Sequence, residues 1–131
     1  MSTLADTDYR RLLELRDGLR RFLHWSEGQA RAAGLTPAQH QLLLAVRGHG
    51  SPPTIGEVAD HLLLRHHSAV ELVDRAERAG LVRRRPDPAD HRVVRLELTA
   101  RGARHLATVA APHREELRRL ADELQPVFDG L

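Results

Sequence analysis

Residues 66–99 read HHSAVELVDRAERAGLVRRRPDPADHRVVRLELT, and their apolar residues follow two different periodicities. In its first half, apolar residues recur every three or four positions, at Ala69, Leu72, Val73 and Ala76. This spacing describes one face of a helix, and Gly80 stands where helices commonly end. The second half alternates apolar and polar residues on either side of a turn that contains two prolines, as β-hairpin strands do. The stretch therefore predicts a helix followed directly by an antiparallel hairpin.

Three more helices are predicted before this stretch. The first covers residues 8–33, where leucines and Phe22 recur at helical spacing. The starts of the second and third are marked by capping boxes, in which a Thr side chain and a Gln or Glu three residues later satisfy each other's backbone N–H groups. These boxes are Thr36 with Gln39, which puts Pro37 at the first helical position, and Thr54 with Glu57.

One helix is predicted after the hairpin. Thr99 is its N-cap, and apolar residues recur every three or four positions from Leu106 to the chain end. Pro112 is expected to kink or divide it, because proline lacks the backbone donor and clashes with the preceding turn. The order of helices and strands is that of a winged helix-turn-helix, mainly α with a small β-hairpin wing.

Composition narrows the possible functions. The chain has 131 residues, 41% of them hydrophobic, and no apolar run reaches the roughly 18 residues of a membrane span. Its N-terminus lacks the apolar core of a signal peptide, so we expect one soluble cytoplasmic domain that does not contact a membrane. Cysteine is absent, which excludes disulfides and cysteine metal sites. Aromatic residues make up 3%, which argues for duplex rather than single-stranded nucleic acid as a partner.

The helix of residues 66–78 has a polar face suited to the major groove of B-DNA. A helix fits that groove, and side chains near its N-terminus reach the edges of the bases. The candidates for base contacts are Arg65, His66, His67, Ser68 and Glu71, and Arg75 is better placed for a phosphate. The same residues also suit the solvated face of an ordinary surface helix, and the helix alone does not separate the two interpretations.

The predicted wing concentrates basic charge. It contains five arginines, at Arg83, Arg84, Arg85, Arg92 and Arg95. A local basic patch suits a polyanion, and arginine suits a narrow minor groove. Since free aspartates would repel phosphate, we expect at least Asp90 to pair with a nearby arginine and to stiffen the tip of the wing.

Residues 35–102 resemble the MarR family of bacterial transcriptional regulators. The match is most specific in DHRVVRLELT, which fits the family's signature D-x-R, five residues, L-T at Asp90, Arg92, Leu98 and Thr99. The turn LLLRHHS departs from the family pattern, because it has no glycine and has Arg65 where a capping side chain is usual. The resemblance implies that Arg92 enters the minor groove with Asp90 as its structural partner, and Arg84 is grouped with the DNA contacts.

The resemblance also implies a homodimer that binds a pseudo-palindromic operator, as a repressor released by a small ligand. The single domain of residues 1–131 then has a DNA-binding lobe at 36–99 and a helical dimerisation region at 8–33 and 100–131. The expected dimer contacts are apolar side chains of the terminal helices: Leu12, Leu15, Leu19, Leu117, Leu120, Leu124 and Phe128.

A small aromatic or phenolic ligand is a further implied partner, and His24, Trp25 and His40 are the candidate pocket residues. No catalytic motif is present, so we expect no enzymatic activity and no cofactor. No pair of histidines has the His-x-x-x-His spacing of a helical metal site, so no metal ligands are predicted. Two alternatives remain open: a winged helix that binds proteins without reading DNA sequence, and a metal-responsive regulator whose site forms from separate helices.

Overall fold

The structure, a computed structural model, describes residues 3–131. Over this range the chain forms five helices and a two-stranded antiparallel sheet. Their bounds are α1 Asp6–Ala32, α2 Pro37–Gly48, α3 Ile55–Leu62, α4 His66–Arg78, β1 Val82–Pro86, β2 Val94–Leu98 and α5 Ala100–Asp129. The mainly helical class with one β-hairpin is as predicted.

Both predicted capping boxes are present. The Thr36 hydroxyl accepts from the Gln39 backbone N–H at 3.1 Å, and Gln39 Oε1 accepts from the Thr36 N–H at 3.0 Å. The Thr54 hydroxyl and the Glu57 carboxylate make the same exchange at 3.1 and 3.0 Å. These reciprocal bonds satisfy backbone donors that a helix start otherwise leaves without partners, so α2 and α3 begin where the sequence predicts.

The turn between α3 and α4 has a leucine in the left-handed conformation that glycine usually adopts. Leu63 adopts the left-handed conformation, with φ 55° and ψ 42°, and its side chain is 92% exposed. A residue with a Cβ pays about 1–2 kcal/mol for this conformation. Arg65 is the N-cap of α4 and its side chain makes no capping hydrogen bond. The join between these helices is therefore locally strained.

The core lies between the middle helices and the hairpin. In the hairpin, Arg84 faces Leu96 and Val82 faces Leu98 across the antiparallel ladder. Leu96 is fully buried, and its backbone N–H donates to the Pro53 carbonyl at 2.8 Å. The largest fully buried side chains are Leu42, Leu43, Leu96, Val58, Val73, Val82, Val109 and Pro53. The base of the wing is thus part of the core, whereas the residues of its turn, 87–93, are half-buried or exposed.

The last helix is continuous, so Pro112 does not divide it as the sequence suggested. Pro112 lies inside α5, which runs without a break from Ala100 to Asp129. Proline removes only the donor that would meet the Thr108 carbonyl, and Thr108 is exposed. At the start of α5, Gly102 lies against the Leu81 backbone, where no side chain fits.

The terminal helices α1 and α5 pack against each other along the chain. At Gly18 of α1, an added Cβ would lie 3.0 Å from Leu124 Cδ2 and 3.4 Å from Leu120 Cδ1. Arg21 and Glu123 join the same two helices by an exposed ion pair of 2.6 Å. Among residues 3–131, no helix combines the length and apolar character that crossing a membrane requires.

Candidate nucleic-acid interface

The exposed face of α4 is the face predicted from the sequence. Ala69, Val73 and Ala76 are buried, and the opposite side is turned outward. The candidates Arg65, His66, His67, Glu71 and Arg75 are exposed, and Ser68 is half-buried. Within residues 3–131, neither Arg65 nor Arg75 forms an ion pair, so their charge is available to a polyanion.

At the tip of the wing, Asp90 holds Arg92 through two side-chain hydrogen bonds. Arg92 Nε and Nη2 donate to the two carboxylate oxygens at 3.0 and 3.1 Å, and the Arg92 backbone N–H donates to Oδ1 at 3.1 Å. The hydrogen bonds from Arg92 lower the pKa of Asp90, and Asp90 raises the pKa of Arg92. The Arg92 side chain is 91% exposed and retains Nη1 for a further partner. The expected pairing of Asp90 with a nearby arginine is confirmed.

A second aspartate fixes the shape of the turn. Asp87 Oδ1 accepts from the backbone N–H groups of Ala89 and Asp90 at 2.7 and 3.0 Å, and Oδ2 accepts from Arg95 Nε at 2.8 Å. The Arg95 guanidinium is the largest cause that lowers the pKa of Asp87, followed by these backbone donors. Arg95 also donates to the Pro52 carbonyl at 3.2 Å. The turn is therefore tied to the loop that precedes α3.

Arg84 braces the wing against α4. Its guanidinium donates to Asp74 Oδ1 and Glu77 Oε1, both at 2.6 Å, and its backbone N–H donates to Glu77 Oε2 at 3.2 Å. The hydrogen bond to Asp74 is the largest cause that raises the pKa of Arg84. Its side chain is 28% exposed, against 91% for Arg92. In the structure Arg84 holds β1 against α4, and its predicted contact with DNA stays a prediction.

The remaining two wing arginines share one carboxylate. Arg83 Nε and Arg85 Nη1 both donate to Glu97 on the neighbouring strand, Arg85 at 2.9 Å. Hydrogen bonding to Arg85 is the largest cause that lowers the pKa of Glu97. All five wing arginines are thus paired with acids, so the wing is less strongly basic than its sequence suggests. The five side chains differ in solvent exposure. Three are exposed, Arg83, Arg85 and Arg92, and two are partly covered, Arg84 and Arg95.

A polar chain that the sequence reasoning missed continues from Arg95 into α3 and α2. Arg95 Nη1 lies 3.5 Å from Glu57 Oε1, and Glu57 Oε2 lies 2.8 Å from His49 Nε2. His49 Nδ1 is 2.9 Å from His61 Nε2. The backbone N–H bond from the Thr54 box is the largest cause that lowers the pKa of Glu57, with a smaller part from His49. His49 and His61 are twelve residues apart, so no local motif indicates the pair.

The candidate pocket residues separate in the structure. Trp25 and His40 both approach His113 of α5, with ring centroids 4.8 and 4.7 Å apart, whereas His24 is exposed outside this cluster. Burial, and next the proximity of His113, lower the pKa of His40. His113 also lies 2.6 Å from Ser26 Oγ. His113 is the residue that sequence reasoning placed only in an apolar stripe.

The predicted dimer contacts divide into exposed and covered groups. Leu12 and Leu19 are each 41% exposed, Leu117 is 47% and Phe128 is 53%. Leu15 and Leu120 are half-buried. Leu124 is 5% exposed and packs on Gly18 within the same chain, so it belongs to the intramolecular contact of α1 and α5. The exposed members leave apolar surface on both terminal helices.

Residues 33–93 match the MarR family. Over 65 residues, or 50% of its length, the chain is 40% identical to YsmB, an uncharacterised HTH-type transcriptional regulator of Bacillus subtilis (strain 168), and this match spans 44% of YsmB. The structure is similar to that of AbsC, a MarR family transcriptional regulator from Streptomyces coelicolor, with 26% identity, a TM-score of 0.72 and coverage of 95% of this chain and 84% of AbsC. It is also similar to a mutant of MepR from S. aureus bound to an oligodeoxyribonucleotide, with 20% identity, a TM-score of 0.68 and coverage of 87% and 82%.

Proposed function

We propose that this protein, whose residues 33–93 match the MarR family, is a transcription regulator of that family that binds a pseudo-palindromic duplex operator as a homodimer. MarR-family transcription regulators are not enzymes, and we assign no catalytic residue. The observation that carries the proposal is the wing tip, where an almost fully exposed arginine is held by two hydrogen bonds that it donates to an aspartate.

The wing and α4 supply two different kinds of contact. The N-terminal part of α4 presents Arg65, His66, His67, Ser68 and Glu71, whose donors and acceptors suit base edges in the major groove. Arg92 suits the adjacent minor groove, because an arginine that is already oriented loses less conformational freedom on binding. The MepR structure contains an oligodeoxyribonucleotide, which supports the same partner for this fold.

The ion pairs of the hairpin favour a bracing role for two of its arginines. Arg84 ties β1 to Asp74 and Glu77 of α4, so the wing and the groove-reading helix are held together as one unit. Arg95 ties the other strand to Asp87 and the loop before α3. The arginines of α4 that form no ion pair within residues 3–131 are then the ones that contact phosphates. Arg92 contacts the minor groove.

Homodimer formation is proposed from the exposed apolar residues of the terminal helices. Leu12, Leu19, Leu117 and Phe128 expose large apolar side chains on α1 and α5. Burial of such surface against a second copy is the ordinary use of an apolar helix face. Two copies related by a two-fold axis present two copies of α4, which fits an operator with two-fold symmetry.

Repression and release by a small ligand form the finer part of the proposal. The ring cluster of Trp25, His40 and His113 joins α1, α2 and α5 where the terminal helices meet the winged lobe. An aromatic or phenolic ligand that stacks on these rings would bias the position of the lobe relative to the dimer. His24 is not included in this proposed ligand pocket, because its side chain is exposed and lies outside the ring cluster.

Binding to duplex DNA as a function of salt tests the proposal. Fluorescence anisotropy with a labelled duplex should give an affinity that falls steeply as salt rises, since counterions are released from the phosphates. Arg92→Ala should weaken binding by about 1–3 kcal/mol. Arg119→Ala is the matched control, because Arg119 is also exposed and paired with a nearby carboxylate, Glu116, at 2.9 Å. Equal affinities of the two variants would contradict the assignment of the wing.

The same assay separates the alternative of a protein-binding winged helix, which predicts weak binding that does not depend on the duplex sequence. The dimer has its own test in Leu117→Glu with Phe128→Glu, two exposed positions whose substitution leaves the core intact. Sedimentation should give a monomer whose operator affinity is much reduced, because it loses the second half-site. A variant that remains dimeric would place the interface elsewhere.

A further inference from the structure

The His49 and His61 side chains, which the proposed function does not use, face each other at the joint between α2 and α3. His49 is the C-cap residue of α2, and His61 lies in the last turn of α3. Their ring nitrogens, His49 Nδ1 and His61 Nε2, are 2.9 Å apart, and the ring planes are 83° apart. One of the two nitrogens must carry a hydrogen for them to hold this distance as a hydrogen bond, or both must face one cation.

A carboxylate is bound to the other nitrogen of His49. Glu57 Oε2 is 2.8 Å from His49 Nε2. Metal-binding histidines typically donate their second ring N–H to a carboxylate, which selects the tautomer and turns the free lone pair toward the ion. Here that arrangement leaves the lone pair of His49 on Nδ1, and Nδ1 is the atom that lies 2.9 Å from His61 Nε2.

From this geometry we propose that His49 and His61 form a binding site for a divalent transition-metal ion, with Glu57 as the outer carboxylate that orients His49. An ion about 2.1 Å from each nitrogen would see them at an angle of roughly 90°, which an octahedral or distorted tetrahedral site accepts. Over residues 3–131, no three His, Cys, Asp or Glu side chains form a group that could hold a metal ion, so water would have to complete the coordination of an ion at this pair. His61 is exposed, which gives water and metal access.

The site lies at one end of the polar chain that reaches the wing. Glu57 contacts His49 on one side and Arg95 on the other, and Arg95 contacts Asp87 in the turn. A metal on His49 Nδ1 would place the remaining ring hydrogen on Nε2, which is the tautomer that donates to Glu57. Metal binding at this site would therefore change the hydrogen bonding of Glu57, the carboxylate that also contacts Arg95 of the wing.

The test titrates Zn²⁺ or Ni²⁺ alone into chelator-treated protein, without DNA, by isothermal titration calorimetry. We expect one equivalent per chain to bind to the wild type. His61→Gln should abolish this equivalent, and Glu57→Gln should weaken it about 10- to 100-fold. Glu57→Gln keeps the fold testable, because glutamine also serves at the third position of a capping box.

His24→Gln is the matched control, because His24 is exposed and lies outside this site. It should bind metal as the wild type does. No bound equivalent in the wild type, or equal binding by His61→Gln, would overturn the proposal, and equal binding by Glu57→Gln would remove Glu57 from it. Since DNA is absent from the experiment, its outcome is independent of operator binding.

Discussion

Replacing Gly102 with alanine should destabilise the protein, although alanine is the better helix former. An ideal Cβ at Gly102 would lie 2.0 Å from the Leu81 carbonyl oxygen and 2.9 Å from its carbon. Real Cβ atoms essentially never approach closer than 3.0 Å, so α5 and the Leu81 backbone must separate by about 1 Å. Both contacting groups are backbone, and no flexible side chain can move aside to relieve the clash.

Hydrogen bonds at the same joint set the size of the effect. The Leu81 carbonyl accepts from the Thr99 N–H at 3.1 Å, and the Thr99 hydroxyl donates to the Gly80 carbonyl at 2.6 Å. Overpacking costs about 1–3 kcal/mol, and each weakened hydrogen bond about 0.5–1.5 kcal/mol. The helix propensity of alanine returns up to about 1 kcal/mol. The clash therefore exceeds the propensity, and we expect a net loss of about 1–4 kcal/mol.

Urea unfolding followed by circular dichroism measures this loss, at one protein concentration for all variants because dimer formation would couple stability to concentration. Gly28→Ala is the control, since a Cβ at this position in α1 meets nothing within 4 Å. It should stabilise the protein by about 0.5–1 kcal/mol. If Gly102→Ala stabilises the protein as much as Gly28→Ala does, the close approach of α5 to the Leu81 backbone is refuted.

Three further outcomes are expected. Leu63→Gly should raise the free energy of unfolding by about 0.5–1 kcal/mol, and with it the urea midpoint, because glycine relieves the left-handed strain at φ 55° while adding some unfolded-state entropy. An unchanged or lower midpoint would show that the strain is absent. Wild-type stability should fall as pH drops below the ordinary His pKa of 6.5, because His40 has a lowered pKa in the fold and the unfolded chain takes up the proton first. His40→Gln should lose the part of this decrease in stability that comes from protonation of His40. A pH profile identical to that of the wild type would contradict the role of His40. Arg84→Ala should cost about 1 kcal/mol of stability, discounted for the partial exposure of Asp74 and Glu77, and should weaken DNA binding without changing its salt dependence. A salt slope reduced by one phosphate contact would return Arg84 to the DNA contacts.

Features encoded within a few residues were predictable from the sequence. The capping boxes of α2 and α3 each depend on two side chains three residues apart, and the pair of Asp90 and Arg92 spans two. Local spacing therefore determines these contacts almost regardless of the rest of the fold. The apolar period of α4 likewise identified its buried face, and the opposite face followed.

Contacts between distant residues were not predictable in the same way. Arg84 looks like the other wing arginines in the sequence, and only the packing of β1 on α4 brings it to Asp74 and Glu77. His49 and His61 meet because α2 and α3 pack together.

The spacing of apolar residues in α5 also did not predict which of them are buried. Periodicity groups Leu117 with Leu124, but it does not tell which of them is covered by α1 of the same chain and which is left exposed. Tertiary packing assigns these roles, and a repeat of three or four residues carries no information about the identity of the covering surface.

Two copies of this winged helix are proposed to bind a duplex with two-fold symmetry. Selection of bound duplexes from a random pool, followed by sequencing of those that are enriched, tests this directly. We predict two inverted half-sites whose centres lie about one helical turn apart, since each copy of α4 enters the major groove on the same face of the DNA. Enrichment of a single unpaired half-site, or no enrichment at all, would contradict symmetric binding by two copies.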